Sequence, residues 1–388
     1  MFSFRTTSLL NQEDLVLRKG NLAIFCNQTS WDINNGEYLY ETLAKRKNLK
    51  RIFTPDSNLL SETPQTKSIE KILLNKNADS FLKSNTQLLT DIDALIVDFQ
   101  DNGFRYSTNL SIIYSIFKIL KDNNIDLPIY IIDKKNPNGR VVEGTMLRAG
   151  YRSNLGIEGL VHKHGLTIGE ILYYIYNEIN AKFPLHIISY KTSANNNELL
   201  PWSIPISDNF AGLFTSNFYC GQKLWEATNM SCGIGTSRPY EVFGSPYISK
   251  LFMGNDWEEI KKEVSDENVF MRETSFTPMF DKFKGERCFG FQILLRPNMQ
   301  YHSLAHNLKI MQVLLKYCND FQFYTEKNKE NDKTAFECMV GDKDLLNFVT
   351  GKENWANIKD HIKVEEQKWI RKAKKALLYQ EEQLYRIK

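Results

Sequence analysis

The sequence predicts an α/β protein with a doubly wound, mostly parallel sheet, joined to a second, smaller α+β domain. Short apolar runs alternate with segments of helical apolar spacing in the first part of the chain, an alternation typical of parallel sheets. The apolar runs are nearly continuous, as expected for strands buried on both faces. The pattern changes near residue 283, beyond which one strand precedes long helical segments. Because 388 residues favour two domains, we place the larger domain at 1–260 and the smaller at 261–388.

Each predicted element follows from its local pattern. The strands of the sheet are expected at 21–26, 51–54, 94–98, 128–133 and 185–190. Helices are expected at 36–46, 111–120 and 167–180, where apolar residues recur at helical spacing. Thr167 and Glu170 have the spacing of a capping box at the start of the third helix. The second domain is expected to contain a strand at 287–295, a helix at 303–318 and a charged helical region from 351 onward.

Composition excludes several classes of function. With 42% hydrophobic and 24% charged residues the chain is ordinary for a soluble globular protein, and its net charge of +3 does not favour nucleic acid or anionic membrane as a partner. No apolar segment is long enough to span a membrane. The six scattered cysteines lack metal-binding spacing and are expected to be mostly buried free thiols. With no secretory signal visible, the expected location is the cytoplasm.

The most informative segment is the predicted strand 94–98 and the polar residues that follow it. Asp98, Gln100, Asp101 and Arg105 come within a few residues of the strand's end. Ligands of open α/β sheets bind just beyond the carboxyl ends of the strands, so these residues indicate a pocket for a polar ligand. The alternative is an Asp–Arg pair that closes a loop.

Polar residues follow other predicted strands as well. Asn27, Asp56 and Asn136 come directly after the strands at 21–26, 51–54 and 128–133. Since strand ends converge in a doubly wound sheet, these groups are expected to outline one cleft. Independent turn and cap residues would explain Asn27 and Asn136 equally well.

Two histidines, His162 and His164, precede the helix predicted at 167–180. Histidines two residues apart bind a metal ion only from an extended segment, and no third ligand is near in sequence. No metal site is therefore predicted. We expect His164 to hydrogen-bond substrate or to orient a carboxylate, and His162 to be an ordinary loop residue.

The segment from 193 to 247 is too long for a simple connection, and its aromatic residues argue against disorder. It contains Glu226, Asn229, Arg238 and Glu241, which suit hydroxyl- and carboxylate-bearing ligands. Its glycines lack the context of a phosphate-binding or dinucleotide-binding loop, so no cofactor is predicted. A packed loop whose polar groups bind one another is the alternative.

Taken in order, these segments resemble the NamZ-like exo-β-N-acetylmuramidases, formerly described as a domain of unknown function. The resemblance spans roughly residues 20 to 320 and includes the segments 27–29, 97–106, 132–139, 143–144, 164–170, 226–236 and 239–241. It implies a bacterial protein with a Rossmann-like domain and a smaller C-terminal domain. It also implies the removal of terminal N-acetylmuramic acid from peptidoglycan fragments, a reaction of cell-wall recycling.

The sequence differs from this family after the second predicted strand. The family usually has Pro-Glu-His-Gly there, with the glutamate as the favoured catalytic acid, whereas this chain has Pro55, Asp56, Ser57 and Asn58. Asp56 keeps a carboxyl group on a shorter side chain. The family's Gly-Arg-Gly loop is 233–235 in this chain, with isoleucine at its centre.

Glycoside hydrolysis usually takes two carboxyl groups. We therefore predict Asp56 as the general acid and Asp101 or Glu226 as the second carboxyl group. The residues expected to position the sugar are Arg105, His164 and Asn229, and the expected ligand is a fragment containing muramic acid. The alternatives are a catalytically impaired protein that binds sugar in the same cleft, and a different hydrolase on the same scaffold.

Overall fold

A computed structural model describes residues 15–32, 35–55, 59, 66–75, 77–189, 204–207, 209–210, 212–329, 331–379 and 382–387. Its strands are β1 (Leu22–Cys26), β2 (Trp31–Asp32), β3 (Glu37–Tyr38), β4 (Leu49–Thr54), β5 (Glu70–Leu73), β6 (Ala94–Asp98), β7 (Ile129–Ile132), β8 (Val141–Met146), β9 (Val161–Lys163), β10 (Leu185–Ile188), β11 (Val242–Ser245), β12 (Val269–Phe276), β13 (Cys288–Leu295) and β14 (Tyr385–Arg386).

The α-helices of the described residues are α1 (Leu15–Lys19), α2 (Leu39–Ala44), α3 (Ala78–Ser84), α4 (Gln87–Thr90), α5 (Thr108–Asp122), α6 (Ile168–Glu178), α7 (Tyr219–Gln222), α8 (Ser249–Phe252), α9 (Trp257–Glu263), α10 (Ser303–Tyr317), α11 (Ala335–Val340), α12 (Lys343–Val349) and α13 (Trp355–Ala373). None of them is long and apolar enough to cross a membrane.

The largest sheet confirms the predicted α/β class. Its six strands lie in the order β10-β7-β6-β1-β4-β5, and every neighbouring pair is parallel. Numbered one to six along the chain, they run 6-5-4-1-2-3 across the sheet, which is the strand order of doubly wound dinucleotide-binding sheets. The direction of winding reverses between β1 and β6, so the crevice of such a sheet opens beyond the ends of these two strands.

Each face of the sheet packs against helices. Because neighbouring residues of a strand point to opposite sides, each central strand contributes side chains to both cores. In β1, Ala23 and Phe25 join a core with α5 and α6, while Leu22 and Ile24 join a core with α2 on the other face. The predicted capping box is confirmed at the start of α6. The Thr167 hydroxyl accepts a hydrogen bond from the Glu170 N–H at 3.2 Å, and the Glu170 carboxylate accepts one from the Thr167 N–H at 3.0 Å.

The second, smaller domain contains the antiparallel sheet β11-β13-β12 and helices packed around a separate core. That core begins before residue 260, since it includes Phe210, Phe218 and Trp225. Helix α13 contacts both domains, with Ile362 in the second core and Trp369 in the first. The predicted boundary near 260 stays a prediction. The six cysteines are all buried and free, as expected.

Candidate active site

The segment after β6 is folded into a compact network of hydrogen bonds. Asn27 accepts hydrogen bonds from the backbone N–H and the hydroxyl of Thr29, at 3.0 and 2.5 Å. The Thr29 hydroxyl in turn accepts from the Gln100 N–H at 2.7 Å, and the Gln100 amide donates to the carbonyls of Asp101 and Lys135, both at 2.9 Å. Asn27 and Gln100 are therefore connected through Thr29, and both are buried, with hydrogen bonds that join the segments after β1 and β6.

A buried ion pair, not predicted from the sequence, lies at the same strand end. The Lys134 ammonium is 2.5 Å from the Asp98 carboxylate, which also accepts from the Ser30 hydroxyl at 2.6 Å. The same ammonium donates to the Thr29 carbonyl at 3.1 Å. Lys134 thus neutralises Asp98, whereas Asp101 has no lysine or arginine partner among the described residues.

Asp101 is held by uncharged donors. One carboxylate oxygen accepts from the Ser107 hydroxyl at 2.5 Å and the other from the Gly103 N–H at 3.0 Å. The His164 Nε2 lies 3.5 Å from that second oxygen. Since His164 Nδ1 accepts from the Leu166 N–H at 3.1 Å, the neutral ring carries its proton on Nε2, facing Asp101. The His164 ring thus faces the Asp101 carboxylate, and its expected role in orienting a carboxylate stays a prediction.

Arg105 lies in the interior, away from Asp101. Its guanidinium is buried and donates to the carbonyls of Thr145, Leu160, Met339 and Val340 and to His162 Nε2, at distances from 2.6 to 3.3 Å. Two of these carbonyls end helix α11, where a cation is favourable. Burial lowers the pKa of Arg105. This placement argues against contact with a ligand and assigns Arg105 to joining the two domains.

Asn136 also has its polar atoms engaged. Its amide donates to the Leu166 carbonyl at 2.9 Å, and its oxygen accepts from the Asn138 N–H at 2.8 Å. It packs so closely against Gly103 that a Cβ at that glycine would lie 2.4 Å from its Oδ1. Asn136 therefore shapes the loop that carries Asp101.

Glu226 forms the second half of the site, in the segment just before β11. Both its oxygens accept from the Lys223 ammonium, at 2.8 and 2.7 Å, and one accepts from the Tyr240 hydroxyl at 2.6 Å. The Glu226 side chain is 25% exposed, so solvent reaches it. Burial lowers the pKa of Lys223, but Tyr219 and Glu226 outweigh this effect and the pKa is raised.

Two features fix the geometry around Glu226. Tyr240 has a φ of 62°, a left-handed conformation that is costly for a bulky residue and is typical of functional sites. The Lys282 ammonium donates to the carbonyls of Trp225, Glu226, Thr228 and Met230, at distances from 2.5 to 3.1 Å. Backbone strain and a lysine bound to four carbonyls thus hold the segment that carries Glu226.

Tyr219 joins the two halves. Its ring centroid is 5.0 Å from that of Phe104, in the Asp101 segment, and 4.7 Å from that of Tyr240, which binds Glu226. Burial raises the pKa of Tyr219 to about 12, with the Lys223 cation opposing the rise and the Glu226 and Asp101 carboxylates adding to it. The Tyr219 ring therefore contacts an aromatic ring from each half of the site.

The remaining predicted residues lie apart from Asp101. Asn229 donates to the Asp320 carbonyl at 2.7 Å and accepts from the Tyr247 hydroxyl at 2.7 Å, so it attaches its segment to the end of α10. Arg238 is exposed and 3.7 Å from Glu241, which accepts from the Thr215 hydroxyl at 2.8 Å. Asp56 lies outside the described residues. Lys223, Tyr219 and Tyr240 were not predicted, although the i, i+3 spacing of Lys223 and Glu226 was a usable signal.

His162 and His164 do not form a metal site in this arrangement. The His162 ring is bound to Arg105 and to Thr145, whereas the His164 ring faces Asp101. Among the described residues, Asp342, Asp344 and His361 could hold an ion, with ligand atoms within 4.8 Å of one another. However, Asp342 already pairs with Arg148 and with His361.

Two family models match this chain in succession. The N-terminal model of exo-β-N-acetylmuramidase NamZ matches residues 22–210, and the C-terminal model matches residues 217–379. The chain belongs to the NamZ exo-β-N-acetylmuramidase family. The two models meet near residue 210, and most residues of the second hydrophobic core lie from Phe210 onward, with Phe104 and Tyr106 added from the Asp101 segment.

One relative and two solved structures are similar to this chain. The peptidoglycan β-N-acetylmuramidase NamZ of Bacillus subtilis strain 168 is 27% identical over 303 residues, which are 76% of this chain and 70% of that protein. Two crystal structures of DUF1343 family proteins from Bacteroides fragilis NCTC 9343 share the fold, with TM-scores of 0.75 and 0.67 and identities of 20% and 22%. Each alignment covers 94% of this chain and 95% of the other.

Proposed function

We propose that this member of the NamZ family is a glycoside hydrolase that removes terminal N-acetylmuramic acid from peptidoglycan fragments. The observation that carries the proposal is that the segments of Asp101 and Glu226 meet at the Tyr219 ring, which packs against Phe104 on one side and against Tyr240, the hydrogen-bond donor to Glu226, on the other. Glycosidases use pairs of carboxyl groups whose surroundings differ. The Bacillus subtilis relative, a peptidoglycan β-N-acetylmuramidase, supports the choice of substrate.

The surroundings of each carboxyl group suggest its role. Asp101 accepts from Ser107 and Gly103, and Glu226 is ion-paired with Lys223. Both arrangements suit a carboxylate that acts as base, nucleophile or charge stabiliser, because a proton donor has to be neutral. Glu226 is the better candidate for contact with the sugar, since its side chain is exposed to solvent. The proton donor is then Asp56, the assignment made from the sequence.

The test is release of N-acetylmuramic acid from a muramic acid–glucosamine disaccharide. We expect the parent chain to release the sugar, and Asp56→Asn to lower the rate by about 10²- to 10⁴-fold, the usual contribution of a general acid. Asp122→Asn, at the exposed end of α5, is the matched control and is expected to keep the parent rate. Equal rates for the parent and Asp56→Asn would remove Asp56 from the mechanism.

A second candidate function is supported by the sequence at Pro55–Asn58. Aspartate in place of glutamate retracts the acid by one methylene, and a displacement of about 1 Å can cost about 100-fold in rate. The chain would then be a sugar-binding protein with impaired catalysis. Calorimetry separates the two functions, since binding of the disaccharide without turnover would favour the second.

We also propose a cytoplasmic location. Six free, buried cysteines are typical of proteins from reducing compartments. Fractionation of the source cells tests this, and recovery of the protein outside the cytoplasm would contradict it.

A further inference from the structure

Two hydrogen-bond donors near the junction of the Asp101 and Glu226 halves keep an N–H or O–H group that is not bound by the described residues. The first is the Tyr219 hydroxyl, which makes no hydrogen bond to any residue that the structure describes. The second belongs to Lys223, because an ammonium has three N–H groups and, among the described residues, the Lys223 ammonium donates only to the two oxygens of Glu226. Tyr219 is only 5% exposed, yet its hydroxyl is not among the fully buried atoms that lack a partner, so solvent or a ligand can reach it. A partner is therefore expected from outside the protein.

Aromatic packing holds both donors in fixed positions. The Lys223 Nζ is 5.9 Å from the ring centroids of Tyr219 and Tyr240. The Tyr219 ring also contacts Phe210, at 5.0 Å between centroids, and Phe104 at the same distance. These ring contacts restrict rotation of the Tyr219 side chain, so its hydroxyl cannot turn toward another acceptor. Solvent enters beside these rings, since the Lys223 and Glu226 side chains are 13% and 25% exposed.

We propose that the Tyr219 hydroxyl and the Lys223 ammonium form a donor pair that binds an acceptor oxygen of the sugar substrate. An ammonium can only donate, so the ligand atom has to be an acceptor. N-acetylmuramic acid offers two strong acceptors outside its ring, the acetamido carbonyl and the lactyl carboxylate. The proposal rests on the proposed function and names the residues that position the sugar beside Glu226.

Tyr219→Phe tests the pair, because it removes only the hydroxyl and keeps the ring contacts. Tyr106→Phe is the matched control. Its ring is 6.5 Å from that of Tyr219, and its hydroxyl donates to the Cys220 carbonyl at 3.4 Å inside the protein. Steady-state kinetics on p-nitrophenyl N-acetylmuramoside and calorimetry with N-acetylmuramic acid give the readouts, and thermal melting by circular dichroism checks the fold.

We expect Tyr219→Phe to lower kcat/KM and the affinity for the free sugar by about 10- to 100-fold, the effect of losing one hydrogen bond to a polar or charged ligand. The melting temperature should stay at that of the parent, and Tyr106→Phe should stay within about twofold of the parent in both assays. Parent-like kinetics and affinity for Tyr219→Phe would overturn the proposal. So would an equal loss in Tyr106→Phe, because a shared loss indicates a role in packing.

A second substrate identifies the acceptor. The matching N-acetylglucosaminide has the acetamido group but no lactyl group. If Tyr219→Phe lowers kcat/KM equally on both substrates, the donor pair binds the acetamido carbonyl. If it lowers kcat/KM on the muramoside alone, the donor pair binds the lactyl carboxylate. If the parent binds without turnover, calorimetry alone decides between supporting and overturning the pair. If the parent neither binds nor cleaves the sugar, the proposed function fails and the donor pair fails with it.

Discussion

The Asp101 and Glu226 halves of the site hold their carboxylates in opposite ways. Asp101 is buried within a loop and bound by a hydroxyl and a backbone N–H, with the His164 Nε2 3.5 Å away. Glu226 is partly exposed and bound by a lysine and a tyrosine. An acid sealed by neutral donors can orient its surroundings but is poorly placed to meet a ligand. We infer that the Asp101 half supports the structure of the site and that the Glu226 half acts on the substrate.

The difference in role between the two halves is tested most strongly at Glu226. Glu226→Gln keeps the size of the side chain but removes its charge, so we expect turnover of the muramoside to fall by about 10²- to 10⁴-fold. Stability should change little, because the amide can still accept from Lys223 or Tyr240. Glu286→Gln, at an exposed position, is the control. A small effect on turnover, together with a large one for Asp101→Asn, would reverse the assignment of the two halves.

A variant at Arg105 tests whether the residues that join the two domains are distinct from those that contact the substrate. Arg105→Lys keeps the charge, but a single ammonium cannot reach acceptors on both domains. We expect the free energy of unfolding in urea to fall by about 3 kcal/mol or more, since several hydrogen bonds to a charged group are lost. Arg152→Lys, whose exposed cation lies 4.7 Å from the Tyr114 ring centroid, is the control. A raised KM with unchanged stability would instead place Arg105 in contact with the ligand.

The sequence predicted the main sheet well because its central strands are continuous apolar runs. Strand β5 was missed because it lies at the edge and is only partly buried, with Glu70 and Lys71 in place of an apolar run. Local capping was also predictable, since Thr167 and Glu170 are three residues apart and form their own contact. These features depend on short stretches of chain, which a single sequence displays.

The site was less predictable because it depends on contacts between distant segments. Arg105 follows Asp101 closely in sequence, yet its guanidinium points to Met339 and Val340, more than 200 residues away along the chain. The sequence identifies Tyr219 only as one of the aromatic residues of the segment 193–247. Its place between Phe104 and Tyr240 comes from the packing of the two domains, which no local pattern reports.

Asp101→Asn should have a smaller effect than the changes at Glu226 and Arg105. The new amide would place a donor against Ser107, Gly103 or His164, and only the Ser107 hydroxyl can rotate to accept. We expect a loss of about 1–2 kcal/mol in the free energy of unfolding and a modest loss of turnover, with Asp122→Asn as the control. Unchanged stability with abolished turnover would show that Asp101 takes part in the chemistry.

The smallest expected effect concerns His302, which lies where the two domains meet. Its Nε2 is 2.8 Å from the Glu366 carboxylate and its Nδ1 is 3.4 Å from that of Glu143. Burial lowers the pKa of His302, but these two carboxylates outweigh burial and the pKa is raised. A raised pKa in the folded state means that the charged histidine stabilises the protein fully below about pH 6.5, and that this contribution is lost as pH rises through the folded-state value.

His302→Gln should therefore cost more stability at pH 6 than at pH 9. We expect the two losses in the free energy of unfolding to differ by on the order of 1 kcal/mol, the contribution of one partly exposed ion pair. His186→Gln, whose exposed ring stacks on Tyr130 at 4.6 Å, is the control for the substitution itself. Equal losses for His302→Gln would mean that the contact between the domains does not depend on this charge. The Asp101 and Glu226 halves would then be held together by packing around Tyr219 and by the Arg105 hydrogen bonds, which makes the Arg105 variant the deciding measurement.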